Sequence, residues 1–435
     1  MIFQLAPDIL EHLLQYLSVS DILHLELCSR QGKNVTGYYW RLIRSLELVP
    51  FMLKNGLDVA NAYRFGNGAS GLLSRVGSSL ERLQLSKFGP LEYGLRSGLE
   101  ASVLTHCCRL TRLELDNRLL DRDWLLQLSQ ATSATLRQLS LSHVCIRQTA
   151  EGIDDALLAA TLLRWDQLTW LRLRENKRLR LTTYHSFPTT LEHLDVQGCN
   201  QVQPHLLALL LERCSSVESL ALTWSRAFPA SETRRNDFAL LLRDRNNLRQ
   251  LQLESGSDSL VDILAAEDEE DQSPFLTLTG LLSGLFSLRS LLLPSALMSE
   301  RVTRVIAGNL RGLRELSVEG GDVSKRPHTS ISALLRLLGE SLPELRRLSL
   351  RGNNAWARPC LMCLSFFPRL TDLDLSFTVR ERELECQWDL IRASSLQRLE
   401  LRGFVRPTRG AKEEVAKDVR RKLLPTCPKL RYVLV

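Results

Sequence analysis

The chain has 435 residues, of which 44% are hydrophobic and 24% charged, and it carries a formal net charge of +7. It has no run near the roughly 20 uninterrupted apolar residues that cross a bilayer. The N-terminus has no basic stretch ahead of its apolar residues and holds Asp8, Glu11 and Asp21, so no secretory leader is expected. Ten cysteines in this length do not make a disulfide scaffold, so the expectation is a reduced protein of the cytoplasm, the nucleus or both.

Residues 1–45 read as three short helices. Pro7 suits a first helical position, and Asp8 suits the positive end of the helix dipole. Ile9, Leu10, Leu13, Leu14 and Leu17 then follow helical spacing. Ser20 can cap a second helix that carries Ile22, Leu25 and Cys28 on one face. Tyr39-Trp40-Arg41-Leu42-Ile43 makes a third apolar cluster. So small a unit buries little on its own and needs a partner or a neighbouring element.

Residues 46–79 contain Gly56, Gly66, Gly68, Gly71 and Gly77 and read as a connector with a degenerate first repeat at Leu46–Leu48. From residue 80 onward one pattern recurs. Leucine or a close substitute occupies the first, fourth and sixth positions of segments that start at Leu80, Leu110, Leu136, Leu168, Leu191, Val217, Leu248, Leu288, Leu313, Leu345, Leu370, Leu396 and Leu430. The fullest copy is Leu345–Asn353, L-x-x-L-x-L-x-x-N. Its alternation predicts a strand with one buried face, and Asn353 can bond backbone groups where the chain leaves the strand.

Between these rungs lie apolar stretches of helical period at residues 120–128, 153–163, 206–211, 238–242, 302–306, 331–338 and 415–424. The interval from Leu168 to Leu191 is too short for a full helix. That from Leu248 to Leu288 is the longest. It holds an acidic loop near 254–274, with Glu267-Asp268-Glu269-Glu270-Asp271 expected to be exposed by self-repulsion.

The rungs resemble leucine-rich repeats, which implies an α/β solenoid: a curved parallel sheet inside, helices outside, and about 13 repeats over residues 80–435. Cys107, Cys214 and Cys427 each precede a rung by three residues, and Cys199 takes the turn position that Asn176 and Asn353 fill elsewhere. Cys427-Pro428-Lys429-Leu430 resembles the C-P-x-L step of the cysteine-containing subtype. Cys360 and Cys363 form a C-x-x-C without a second pair nearby, so core packing is expected and no metal.

The first 45 residues resemble an F-box. Leu5, Pro7, Asp8, Ile9, Leu10, Leu13, Tyr16, Leu17, Asp21, Ile22, Ser29, Arg30 and Trp40 fall on its pattern. Ala6 stands in place of the usual first proline, Cys28 in place of valine, and Gly32 in place of a tryptophan. The resemblance implies a substrate-recognition subunit of a Skp–cullin–F-box ubiquitin ligase, with the Skp-type adaptor and the cullin–RING complex as partners. Leu5, Pro7, Ile9, Leu10, Leu13, Leu17, Ile22, Leu25, Cys28 and Trp40 are then the adaptor-binding residues. The alternative is a scaffold or inhibitor protein whose N-terminal helices only cap the repeats.

The third, fifth and seventh positions of each rung face the concave surface. Trp170, Arg172 and Arg174, with His193 on the next rung, form the candidate substrate-binding group, an aromatic among rigid cations that suits an acidic or phosphorylated segment; the alternative is that Asp195 neutralises the arginines and Trp170 stacks on a neighbour. Arg347 and Arg351 are expected to pair with Asp372 and Asp374 across the sheet. No nucleophile elbow, Walker loop, zinc-protease motif or dinucleotide fingerprint occurs, so neither an enzyme nor a cofactor is expected. The 47 Arg and nine Lys are read as paired or solvated, not as a nucleic-acid footprint.

Overall fold

The computed structural model describes residues 7–14, 16–17, 19–54, 67–85, 97–149, 151–224, 247–255, 274–320, 331–353, 360, 362–377, 393, 395–402 and 411–434. The acidic run 267–271, the helix expected at 238–242 and Leu5 lie outside them. The chain forms two compact units, residues 1–202 and 203–435.

The first unit opens with α1 (Pro7–Leu14), α2 (Val19–Cys28) and α3 (Arg30–Leu42). Ser29 caps α3, its hydroxyl accepting the Gly32 N–H at 2.9 Å. Gly32 itself is required by close approach: a Cβ there would lie 2.1 Å from the Leu25 carbonyl oxygen. The position where the family pattern has tryptophan therefore has no room for a side chain.

The chain continues through β1 (Ser45–Glu47), α4 (Leu48–Lys54), α5 (Asn67–Val76), β2 (Arg82–Gln84), α6 (Ser97–His106) and β3 (Arg112–Glu114). Next come β4 (Leu119–Leu120), α7 (Arg122–Ala131), β5 (Gln138–Ser140), β6 (Cys145–Ile146), β7 (Glu151–Gly152), α8 (Asp155–Leu162), β8 (Trp170–Arg172) and β9 (His193–Val196). Its main sheet is parallel in the order β1-β2-β3-β5-β8-β9. β1 pairs Leu46 with Leu83 of β2, so a rung precedes Leu80. The short interval 168–191 holds a single 3₁₀ turn, Tyr184–Ser186, where other intervals hold helices.

The second unit contains α9 (Pro204–Arg213), β10 (Ser219–Trp224), β11 (Gln250–Ser255), α10 (Pro274–Ser283), β12 (Ser290–Pro294), α11 (Glu300–Asn309), β13 (Glu315–Glu319), α12 (Ile331–Ser341), β14 (Arg347–Ser349), β15 (Asp372–Asp374), β16 (Arg398–Glu400), α13 (Ala411–Leu423) and β17 (Tyr432–Leu434). These strands are parallel and ordered as in the chain. In both units the fourth-position leucines lie in register, as in Leu316, Leu348, Leu373 and Leu399, and all are buried. No single strand covers that row; stacking neighbours against the helices does. Repeated strand, turn and helix with ladders of leucine define an α/β leucine-rich-repeat fold. Among the described residues, no helix is long and apolar enough to cross a membrane.

Among the described residues, seven rungs turn at their eighth position with a positive φ. Asn117, His143, Glu175, Gly198, Gly320, Gly352 and Phe377 all occupy it, and all have φ between 51° and 76°. The ninth position then reaches back. Asn176 Nδ2 donates to Leu141 O at 2.7 Å and to Leu173 O at 2.8 Å. Cys199 Sγ donates to Leu173 O at 3.0 Å, and Arg118 Nε donates to Leu85 O. All three acceptors are sixth-position carbonyls: Leu141, Leu173 and Leu85 accept from the following rung, and Leu173 accepts from Asn176 of its own rung as well.

Candidate functional site

Two surfaces carry the residues singled out above. The first is the N-terminal helical module. Leu10, Leu14 and Val35 form its core, with Leu25 and Tyr39 packed against them. Ile22 and Trp40 are also buried. The opposite side of the first helix and the turn after it stay open: Ile9 is 51% exposed, Leu13 40%, Tyr16 76% and Leu17 39%, with Leu27 and Cys28 exposed as well. The ten residues named for adaptor binding thus divide. Leu10, Ile22, Trp40 and, in part, Leu25 hold the module together, whereas Ile9, Leu13, Leu17 and Cys28 are available to a partner. Pro7 begins α1, and Leu5 is outside the described residues.

Glu26 ties this module to the first repeat. Its Oε1 accepts from Thr36 Oγ1 at 3.2 Å and from Trp40 Nε1, and its Oε2 accepts from Arg75 Nε of α5 at 2.9 Å. Ser79 adds a hydroxyl within reach of the Trp40 and Ile43 carbonyls, at 3.1 and 3.2 Å.

The second surface is the open face of β3, β8 and β9. The parallel register places Trp170 beside His193 and Arg172 beside Asp195. The Trp170 and His193 rings stack, with centroids 5.1 Å apart and planes 11° apart. The guanidinium carbon of Arg172 lies 4.7 Å from the Trp170 centroid, and that of Arg112 lies 5.7 Å away. Buried Asp195 receives both cations, Arg174 Nε at 3.1 Å and Arg172 Nε at 3.5 Å, and accepts the Gln197 N–H at 3.1 Å. The four residues named from the sequence therefore form one rigid group. Asp195 takes the neutralising place that its rung position offered and Trp170 stacks on a neighbour, whereas Arg112 completes the group without having been marked by its residue type.

Electrostatics follow from that packing. Burial, with help from the Arg172 charge, pushes the His193 pKa down to about 4, so the ring is neutral at physiological pH. Burial raises Asp195, and the two arginines and the Gln197 N–H offset only part of that rise. An aromatic stack flanked by fixed guanidinium groups suits binding and orienting a ligand. Among the described residues, no group of three His, Cys, Asp or Glu could hold a metal ion. Cys360 and Cys363 are both buried, and Cys363 Sγ lies 3.5 Å from the Ser332 carbonyl.

The cross-strand pairing expected in the later rungs is corrected. Arg347 stands opposite Asp372 in the register, yet among the described residues neither Arg347 nor Arg351 has a carboxylate partner. Ion pairs there run along β16, from Arg398 to Glu400 at 2.8 Å, and on to Arg402 at 3.4 Å. Residues two apart on a strand share a face, and long side chains bridge that spacing as readily as the gap to the next strand.

No protein-family model matches the chain, and no curated protein matches it in sequence. Among solved structures it is similar to a chain of the Rad7 and Elc1 complex from yeast, at 16% identity over 96% of this chain and 92% of that one, with a TM-score of 0.47. It is also similar to an internalin from Listeria monocytogenes, at 15% identity over 83% and 81%, with a TM-score of 0.34. The leucine-rich-repeat protein LegL7 from Legionella pneumophila is similar at 15% identity over 72% and 88%, with a TM-score of 0.38.

Proposed function

We propose that the chain is a non-catalytic substrate-recognition subunit of a Skp–cullin–F-box ubiquitin ligase. The helical module docks a Skp-type adaptor, and the open sheet face of the repeats holds a protein substrate. One observation carries the reading: the segment that resembles an F-box folds as three helices with an apolar stripe, Ile9, Leu13, Tyr16 and Leu17, left open to solvent. A helix that served only as a cap has no use for that stripe. The Trp170–His193 stack with Arg172 and Arg174 is the matching anchor for substrate, since its aromatic and guanidinium groups are already held in place and lose little freedom on binding.

The test is co-purification of the full chain with a Skp-type adaptor. A Leu13→Glu plus Leu17→Glu variant alters only exposed positions, so it keeps its thermal midpoint and loses the adaptor. Leu10 is unsuitable for this purpose because it is buried. Retention of the adaptor by the folded double variant sinks the proposal.

The reading as a capped scaffold has its own support in the bonds from Glu26 and Ser79 that join the helices to the first repeat. It expects no adaptor with either chain. It also expects that deleting residues 1–42 exposes apolar surface on the first rungs and lowers solubility.

A further inference from the structure

In seven described rungs the eighth position is left-handed, a conformation that suits glycine and asparagine and crowds a Cβ. Phe377 occupies it with φ +61°, and the residue remains 56% exposed. Burial therefore does not repay the crowding. A bulky residue at positive φ is an observation from which a function can be inferred.

Its surroundings point to one kind of ligand. The two preceding rungs place Gly320 and Gly352 at the same position, with φ +69° and +71°. A Cβ at Gly320 would meet nothing within 4 Å, and one at Gly352 would meet only the Gly320 backbone, at 3.6 Å or more. Phe377 thus stands at the end of a bare ledge. The backbone donors of that ledge are already used: Gly320 N–H on Arg351 O at 2.9 Å, Gly352 N–H on Ser376 O at 2.9 Å, and Phe377 N–H on Arg402 O at 2.8 Å. Side chains must supply any recognition.

The nearest side chain is Arg351. Its guanidinium carbon lies 5.2 Å from the Phe377 centroid, and no described carboxylate pairs with it. The acids of the neighbouring strands bond elsewhere: Glu319 with the Ser317 hydroxyl at 2.9 Å, Asp374 with the Ser376 N–H at 2.8 Å, and Glu315 and Asp372, which flank Arg347 in the register, with the Ser290 and Thr371 hydroxyls at 3.1 and 2.6 Å. Arg347 lies on the same strand face and is likewise exposed and free of a described carboxylate. Between the two arginines sits Ser349, 95% buried, whose hydroxyl has no hydrogen-bond partner among the described residues. Five other arginines of the sheet and its turns are committed: Arg112 to Glu114, Arg172 and Arg174 to Asp195, Arg398 and Arg402 to Glu400.

We propose that Arg347, Ser349, Arg351 and Phe377 form a docking site for an extended acidic segment of a protein partner. Oxyanions of the segment meet the two guanidinium groups, one on β14 and one in the turn that follows it. An apolar side chain of the segment lies on Phe377. The oxyanion is a carboxylate or a phosphate; the shared chemistry is a planar or tetrahedral anion taken by a guanidinium fork. The proposal does not depend on the adaptor reading, because every residue in it lies in the second unit.

Binding of a fluorescent peptide alternating Asp and Leu to the full chain tests it, beside the same peptide with Asn for Asp and one with phosphoserine for Asp. Arg351→Ala and Arg347→Ala each weaken binding about tenfold or more, with the thermal midpoint unchanged. Phe377→Gly also weakens binding yet raises the midpoint, a combination that a structural role alone does not produce. Tighter binding of the phosphoserine peptide assigns the anion as phosphate, and equal or weaker binding assigns it as carboxylate; both uphold the site. Equal binding of the Asn peptide, no binding of either acidic peptide, or less than a twofold effect from all three variants overturns it. So does a single-stranded oligonucleotide that binds as tightly and with the same losses.

Discussion

The Arg75 guanidinium reaches from the first repeat helix to the Glu26 carboxylate of the N-terminal module, Nε to Oε2 at 2.9 Å. The same carboxylate accepts from Thr36 and Trp40, both buried. Three donors from two structural blocks thus converge on one nearly buried anion. In the proposed receptor this bond network fixes the module against the first repeat.

Removing the acceptor is therefore more damaging than removing the exposed cation. Glu26→Ala strands the Trp40 N–H and the Thr36 hydroxyl, and about 1–3 kcal/mol of stability is lost. Arg75 is 37% exposed, and Arg75→Ala costs under ~1 kcal/mol because water screens the pair. Urea unfolding of the two variants separates these values; equal losses refute the hierarchy.

A second network predicts non-additive energetics. Asn176 Nδ2 and Cys199 Sγ both donate to the Leu173 carbonyl, at 2.8 and 3.0 Å. Either one alone keeps that oxygen bonded. In Asn176→Ala combined with Cys199→Ala it has neither side-chain donor, so the double variant loses more than the sum of the singles, by roughly 0.5–3 kcal/mol. Cys199→Ser keeps a donor and stays close to wild type. A double-mutant cycle that closes to zero contradicts the shared acceptor.

These networks show what the sequence could and could not reveal. The leucine spacing marked the rungs, because each leucine answers to the same buried row. Asn176, Asn353 and Cys199 were legible at the ninth position, whereas Arg118 was not, since a buried arginine there has no compositional signal. The left-handed eighth position was invisible for a different reason: Asn, His, Glu, Gly and Phe share a backbone conformation there, and no side-chain chemistry. At the candidate site both the residue types and the Asp195 partner of Arg172 and Arg174 were readable, but in the later rungs the pairing was not. Alternating signs on neighbouring strands suggested Arg347 with Asp372, and geometry instead joined Arg398 to Glu400 on one strand. Helical spacing likewise placed Leu10 and Leu13 in one apolar set, and only packing divided core from open surface.

Burial also predicts which thiols react. Burial pushes Cys107 and Cys199 up to about 12, and raises Cys360 and Cys427 as well. Cys28 and Cys108 are exposed. Iodoacetamide at neutral pH labels Cys28 and Cys108 in the folded chain and reaches the buried thiols only in denaturant. A raised acid holds its proton longer in the folded state. Stability is thus complete below the ordinary thiol value of 9.0 and falls as pH rises from there toward about 12. Early labelling of Cys107 or Cys199, read by peptide mass spectrometry, is the contrary result.

The Trp170–His193 stack makes the opposite prediction on the acid side. His193 titrates at about 4 in the folded chain and at 6.5 without its surroundings. Between these values the unfolded state binds a proton that the folded state refuses, so stability falls as pH drops from 6.5 toward 4 and levels off below. Asp195 has a raised pKa and works the other way: it favours the folded form only as it becomes protonated, and it cannot reverse the His193 effect at the upper end of that window. His193→Phe keeps an aromatic against Trp170 and cannot titrate. Urea midpoints measured at pH 6.5 and pH 4 therefore diverge less in the variant than in wild type. If the two chains lose stability in parallel across that interval, the ring is not the half-buried neutral group that the stack with Trp170 and the Arg172 charge require.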